Sequence, residues 1–222
     1  NAEILAGIVL AQCVNPGTPV VYSASGSNAD MRTGCLTIGS PEDALMSLIN
    51  GQLAKFYNLP CRISGNISDS KCVDTQAGYE SMMNLMTAQI AGGNFILHAC
   101  GILETYNTVS FEKIITDHEI VGMVKRIGRG IEVNENTLAF SVIKEVGPQG
   151  QFLTQDHTFM NFRKEHYMPF ISDRQNIRQW EESGSLSIAQ KANAKWKQIL
   201  EDYEQPDFPA ELDNDLKKMI QK

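Results

Sequence analysis

Positive charge is in short supply. Against 26 Asp and Glu the chain sets only 19 Lys and Arg, a formal charge of -7, and no basic block compensates anywhere along the 222 residues. A partner gripped through a phosphate backbone, nucleic acid above all, is therefore not expected. Long apolar runs are missing too. Ile8 to Ala11 and Phe95 to Leu97 are typical of what the chain offers, far short of the roughly 20 residues that cross a hydrocarbon layer. No membrane span is expected. The five cysteines, at 13, 35, 61, 72 and 100, are odd in number and never closely paired, and no basic leader with a long apolar core opens the chain. That usage fits a reduced, cytoplasmic protein. It also removes the common zinc spacings. With no two-histidine helical pair and no carboxylate loop of the calcium type, no resident metal is expected in this chain.

What is present is material for a core, since 42% of the residues are hydrophobic, and it is arranged with a rhythm. Glu3 to Val14 reads as a helix stopped by Asn15, Pro16 and Gly17; Pro19 to Ser23 is β-prone; Gly26 to Gly34 is a polar loop. Ser40, Pro41 and Glu42 then stand in the order of an N-cap, a first-turn proline and an acid at the positive end of a helix. That helix runs to about Asn58, and its Leu45, Ile49, Leu53 and Phe56 predict one buried stripe. The pattern repeats with strand Cys61 to Ile63, loop Ser64 to Asp74 and helix Thr75 to Ala91. It repeats again with strand Asn94 to Ala99, loop Cys100 to Ser110 and helix Phe111 to about Ile127.

Three strand-loop-helix units with apolar strands argue for a parallel sheet covered by helices, an α/β fold. The loops after the strands are the longer ones, which suits a TIM barrel, although an open doubly wound sheet has a similar rhythm. After Gly130 helices dominate: Glu135 to Lys144, Thr158 to Tyr167, Arg174 to Glu182, Leu186 to Tyr203 and Pro209 to Gln221, with a turn at Gly147 to Gly150. Ile188, Ala192, Trp196 and Ile199 share one helical face, which makes Trp196 a packing residue. The division expected is a partial parallel barrel over 1–130 and a helical extension over 131–222, packed together as one domain. Three units cannot close an eight-stranded barrel. Either residues upstream of Asn1 complete the sheet, or another copy covers its open side, as in a homo-oligomer.

Chemistry is expected where strands hand over to helices. Asp69, Lys71, Asp74, Gln76 and Glu80 surround the second such junction; Asp74 reads equally as a helix cap, while the amide of Gln76 is placed to orient a polar substrate. His98 falls at the end of the third strand, where a histidine either faces the mouth of a barrel or sits in the core against a carbonyl. Glu104 offers negative charge and Tyr106 an aromatic face to a substituted ammonium, or both belong to a solvated loop. Asp117, His118 and Glu119 are consecutive on a helix, point in different directions and cannot form one catalytic cluster. Around Gly147-Pro148-Gln149-Gly150, Phe152 and His157 belong to a lid or to a simple turn between helices.

The stretches Asp74-Thr75-Gln76-Ala77-Gly78-Tyr79-Glu80, Ala91-Gly92-Gly93-Asn94 and His98-Ala99-Cys100-Gly101-Ile102-Leu103-Glu104 resemble the trimethylamine corrinoid methyltransferase family. Glu145 to Leu153, with its Gly147-Pro148-Gln149-Gly150, then His157-Thr158 and Arg163, is similar to the carboxyl-terminal pattern of that family. The resemblance spans nearly the whole chain. It implies the carboxyl-terminal portion of a TIM-barrel enzyme in which a methylated amine gives its methyl group to the cobalt of a corrinoid carried by a partner protein. Some members carry pyrrolysine, and no pyrrolysine is written here. That departure favours a quaternary amine such as glycine betaine as donor. The alternative is an inactive small-molecule-binding or assembly fragment of the same architecture.

Topology and resemblance together imply roles. His98 and Glu104 would be the catalytic pair, with His98 and Gln76 orienting the polar or carboxylate end of the substrate. Glu104 and Tyr106 would define the cationic end, Asn94 would support the strand mouth, and Phe152 and His157 would form a corrinoid-facing rim.

Overall fold

The structure is a computed structural model that describes residues 1–24, 26–207 and 209–220. Three strands, β1 (Tyr22–Ser23), β4 (Cys61–Ser64) and β5 (Phe95–Leu97), form a parallel sheet in the order β1-β4-β5. Tyr22 stands opposite Cys61, and Ile63 opposite Ile96. Crossovers through α2 (Pro41–Phe56) and α3 (Thr75–Ile90) join them, with α1 (Ala2–Val14) ahead of the first and α4 (Phe111–Arg129) behind the last. The expected parallel arrangement is thus observed, as a small sheet in a mixed α/β fold.

Local chemistry sets the helix starts. Ser40 Oγ accepts the Asp43 amide at 3.3 Å, Asp74 Oδ1 the Ala77 amide at 2.9 Å and Ser110 Oγ the Lys113 amide at 3.2 Å. Asp74 is therefore the cap that one of its two readings predicted. The polar loops after β1 and β5 each hold a short antiparallel pair, β2 (Asn28–Ala29) with β3 (Leu36–Thr37) and β6 (Ile102–Leu103) with β7 (Thr108–Val109). Two-residue strands are too short to show an alternation in sequence.

The core between sheet and helices contains Tyr22, Ala54, Cys61, Ile63 and Ala88. Here one expectation fails. On α2 the buried residues are Asp43, Ala44, Gly51 and Ala54, while Leu45, Ile49 and Phe56 are exposed. Close approach decides this face: a Cβ on Gly51 would lie 2.3 Å from the carbonyl oxygen of Ala91, so only the small-residue side can meet α3.

The rest of the chain is helical: α5 (Glu135–Leu138), α6 (Phe140–Val146), α7 (Asp156–Glu165), α8 (Ile177–Glu182), α9 (Ile188–Glu201) and α10 (Ala210–Ile220). The single helix expected over Glu135 to Lys144 is two, because Ala139 takes a left-handed conformation at φ 49° between them. Gln221, expected to end the last helix, lies outside the described residues. Helix α9 packs on α4, where Ala192 joins Ile115 and Ile171 and Trp196 covers them. Asn193 Nδ2 and Trp196 Nε1 both donate to Glu112 Oε1, at 2.6 and 2.9 Å, and these bonds hold the Glu112 carboxyl down at about 2. Trp196 is the packing residue its periodicity predicted.

Candidate functional site

The loops leaving the carboxyl ends of β4 and β5 are tied into one polar cluster. Glu80, buried on α3, accepts from Ser68 Oγ at 2.7 Å and the Asp69 amide at 2.8 Å through Oε2, and from Gln76 Nε2 at 2.8 Å through Oε1. Asp69 in turn accepts the amides of Ile38 and Gly39 and, at 2.7 Å, the hydroxyl of Thr105. The carbonyls of Ser70 and Ser68 receive the amides of Glu104 and Thr105. Gln76, Asp69, Thr105 and the turn that carries Glu104 and Tyr106 therefore belong to one hydrogen-bonded chain.

The backbone there is strained. His98 has φ 56°, and Glu104, Thr105 and Tyr106 follow one another at φ 47°, 51° and 77°. Left-handed backbone costs a non-glycine residue about 1–2 kcal/mol, and such residues cluster where a site over-determines them. The result is the contact of two predicted residues: the ring of His98 meets that of Tyr106 edge-on, centroids 5.1 Å apart. His98 Nδ1 is buried with no hydrogen-bond partner among the described residues. Burial, with the charge of Arg62, moves its pKa below the ordinary histidine value. A neutral imidazole with an unsatisfied nitrogen can either accept from or donate to a ligand.

Beneath the cluster lies a buried ion pair. Lys113 Nζ reaches both carboxylate oxygens of Asp117 at 2.6 Å and the hydroxyl of Ser81 at 2.7 Å. Asp117 Oδ2 also accepts the Gly101 amide at 2.9 Å, which pins the loop after β5 to α4. Of the consecutive polar trio, Asp117 is the acid of this pair and Glu119 accepts the amides of Phe170 and Ile171. His118 is exposed and its ring meets that of Phe170. The trio is divided among three directions, as helix geometry requires.

A cavity of about 150 Å³ opens beside the same strand ends, bordered by Ile38, Asp43, Asn50, Ser64 and Tyr106 among others. Asp43 is buried, and its carboxylate has no hydrogen-bond partner among the described residues. Burial, followed by the charge of Asp69, raises its pKa to about 6. Sequence reading missed this residue. The signal available was its place in the first turn of a helix that follows a strand-end loop, and a first-turn acid looks like a simple partner for the helix dipole.

The remaining predicted residues lie elsewhere. Asn94 precedes β5 and stands at the amino end of the sheet, where its Oδ1 accepts the Cys61 amide at 2.9 Å and its own amide reaches the Cys61 carbonyl. It does not stand at the strand mouth, because strand direction puts it at the end opposite His98. Glu104 is half-buried and accepts the Thr108 hydroxyl at 3.0 Å. Phe152 is exposed in the helical tail, its carbonyl bound by the Thr158 hydroxyl, and the ring of His157 contacts the Asn136 carbonyl at 2.7 Å. Gln76, His98 and Glu104 do not border the Asp43 cavity; Tyr106 does.

Comparison with known proteins gives this arrangement a context. A family described as trimethylamine methyltransferase matches residues 1–222. The chain is 49% identical over 220 residues to a glycine betaine methyltransferase of Desulfitobacterium hafniense (strain Y51), covering 99% of this chain and 46% of that protein. It is 38% identical over 222 residues to trimethylamine methyltransferase MttB2 of Methanosarcina mazei, covering 100% of this chain and 44% of that protein. For trimethylamine methyltransferase MttB of Methanosarcina barkeri the identity is 36% over 224 residues, again 100% and 44%. The chain thus spans less than half the length of these relatives. With the family pattern running from its first residue to its last, the chain belongs to the trimethylamine methyltransferase family.

Proposed function

We propose that the protein, at full length, moves a methyl group from a quaternary amine of the betaine kind to the cobalt(I) of a corrinoid carried by a partner protein. The observation that carries this reading is the family match over residues 1–222. Glycine betaine leads the donors because a relative at 49% identity bears that name and because the sequence holds no pyrrolysine.

The chemistry asks little acid or base of the protein. As the methyl carbon bonds to the acceptor, its bond to nitrogen breaks, and the electron pair leaves with the amine, which departs neutral and needs no proton. The work of this chain is then orientation and exclusion of water. His98, with its unpartnered nitrogen, and Gln76, whose amide has a second N–H beyond the one given to Glu80, take the carboxylate end of a betaine. Tyr106 takes the cationic end, with Glu104 adding negative charge from the same turn, and Phe152 and His157 form a rim toward the corrinoid protein. Asn94 contributes only through strand pairing.

This reading makes residues 1–130 the carboxyl-terminal portion of a TIM barrel, with 131–222 packed on it in the same domain. Three features support it. Both outer strands of the sheet, β1 and β5, have a free edge among the described residues. Beside β1 a groove of about 610 Å³ runs between α1 and α2, bordered by Ile4, Met46, Ile49 and Leu53. And α1 buries none of its residues, although Val9, Leu10 and Val14 are apolar. Such surfaces are made to be covered, by upstream strands and helices or by a second copy.

The test is methyl transfer by the full-length protein to cobalt(I) corrinoid, followed by the absorbance change at cobalt, with glycine betaine, proline betaine, carnitine and trimethylamine as donors. Turnover with a betaine and not with trimethylamine is expected. No transfer from any quaternary amine would leave a binding or assembly role as the better reading.

A further inference from the structure

The cavity above β1 and β4 has features that the strand-end cluster does not explain. It is bordered by Asp43, a buried carboxylate without a hydrogen-bond donor among the described residues, and by Tyr106, the last of three successive left-handed residues. A buried anion is costly unless it meets a counter-charge or donors. Among the described residues no group donates a hydrogen bond to this carboxylate, and Asp69, the charged group that bears on Asp43, is a second acid. The arrangement is therefore completed by an incoming cation.

Size and chemistry narrow the kind of cation. A cavity that admits several water molecules has room for the nitrogen and three methyl groups of a trimethylammonium head. The cavity provides about 150 Å³. A head without N–H groups asks for no directed hydrogen bonds, only for negative charge and an aromatic face, which are what Asp43 and Tyr106 present.

We infer that the cavity bordered by Asp43 and Tyr106 is the subsite for the methylated ammonium head, with Asp43 as its counter-charge. This inference rests on the methyl-transfer reading for its substrate class and names the residue that recognises the charge. His98, whose ring lies against Tyr106 on the adjoining loop, is then next to the head group and near the rest of the donor.

The experiment measures binding without cobalt, so that recognition and reaction fail separately. Glycine betaine is compared by calorimetry with 3,3-dimethylbutyrate, which has the same shape with carbon in place of the charged nitrogen, on the full-length protein. The unsubstituted protein should prefer glycine betaine by ~10-fold or more, and Asp43→Asn should abolish that preference while leaving dimethylbutyrate binding unchanged. Tyr106→Leu, at a half-exposed position, should weaken tetramethylammonium by ~5-fold. A folded Asp43→Asn protein that keeps the preference overturns the inference, as does a Tyr106→Leu protein that binds tetramethylammonium like the original. Asp43-dependent binding in a protein that transfers no methyl group would sink the reaction and keep the subsite.

Discussion

The two ends of the parallel sheet are built by opposite rules. At the amino end, Asn94 and Cys61 exchange hydrogen bonds and the backbone closes on itself. At the carboxyl end, His98 and Glu104 to Tyr106 sit in left-handed backbone, His98 Nδ1 has no partner among the described residues and Asp43 holds a carboxylate in a cavity. One end satisfies its groups internally; the other keeps groups in reserve. In α/β proteins with parallel strands that asymmetry separates the stabilising end from the end that carries chemistry.

The largest disturbance should come from the ion pair that supports the carboxyl end. Lys113→Met leaves Asp117 buried without its counter-charge, and we expect a loss of about 3–5 kcal/mol of stability in chemical denaturation. A loss under about 1 kcal/mol would mean that water or a shifted proton replaces the lysine and that the loops do not depend on it.

His98→Ala should act the other way, on activity more than on folding. We expect methyl transfer to fall by about 100-fold through lost orientation, with a melting temperature close to that of the original protein. Paired melting and transfer assays decide: a collapse of the fold with unchanged activity per folded molecule would place His98 in the core.

Asp43→Asn should make the protein more stable, with a pH dependence whose sign is fixed. Burial and Asp69 raise the Asp43 carboxyl from 3.8 to about 6. The folded protein therefore holds this proton more tightly than the unfolded chain does. The stabilisation is fully present below about pH 4 and is lost as pH rises through about 6. Above that, Asp43→Asn should gain about 3 kcal/mol over the original protein, and below about pH 4 the two should coincide. Melting curves across that range would show it. Stability gained by removing a side chain is typical of residues kept for binding.

The smallest effect belongs to the amino end. Asn94→Ala removes one hydrogen bond to the Cys61 amide and should cost about 1 kcal/mol of stability, with methyl transfer per folded molecule unchanged. A selective loss of transfer would return Asn94 to the site and erase the contrast between the two ends.

Much of the fold was legible because local signals agreed. Ser40, Asp74 and Ser110 cap the helices that their positions announce, and the apolar pairs of β1, β4 and β5 align in parallel. The buried face of α2 was not legible, since Leu45, Ile49 and Phe56 form the more apolar stripe yet remain exposed. Their exposure is a property of what surrounds the helix, and periodicity does not say which of two apolar faces meets the sheet. Within the candidate site, His98 and Tyr106 were singled out in sequence and do meet. Asp69 and Thr105 take their positions from contacts between loops about 30 residues apart, with 31 between Ile38 and Asp69 and 36 between Asp69 and Thr105.

The sequence by itself determined the alternation of strands and helices, the caps, the acidic charge and the family pattern, because these depend on residues near one another in the chain. Only the tertiary structure decided which carboxylates are buried, which end of the sheet is strained and which small residues let helices approach. Burial and electrostatic shifts arise from neighbours that are distant in sequence, and a carboxyl in the first turn of a helix reads the same whether water or a cavity lies before it.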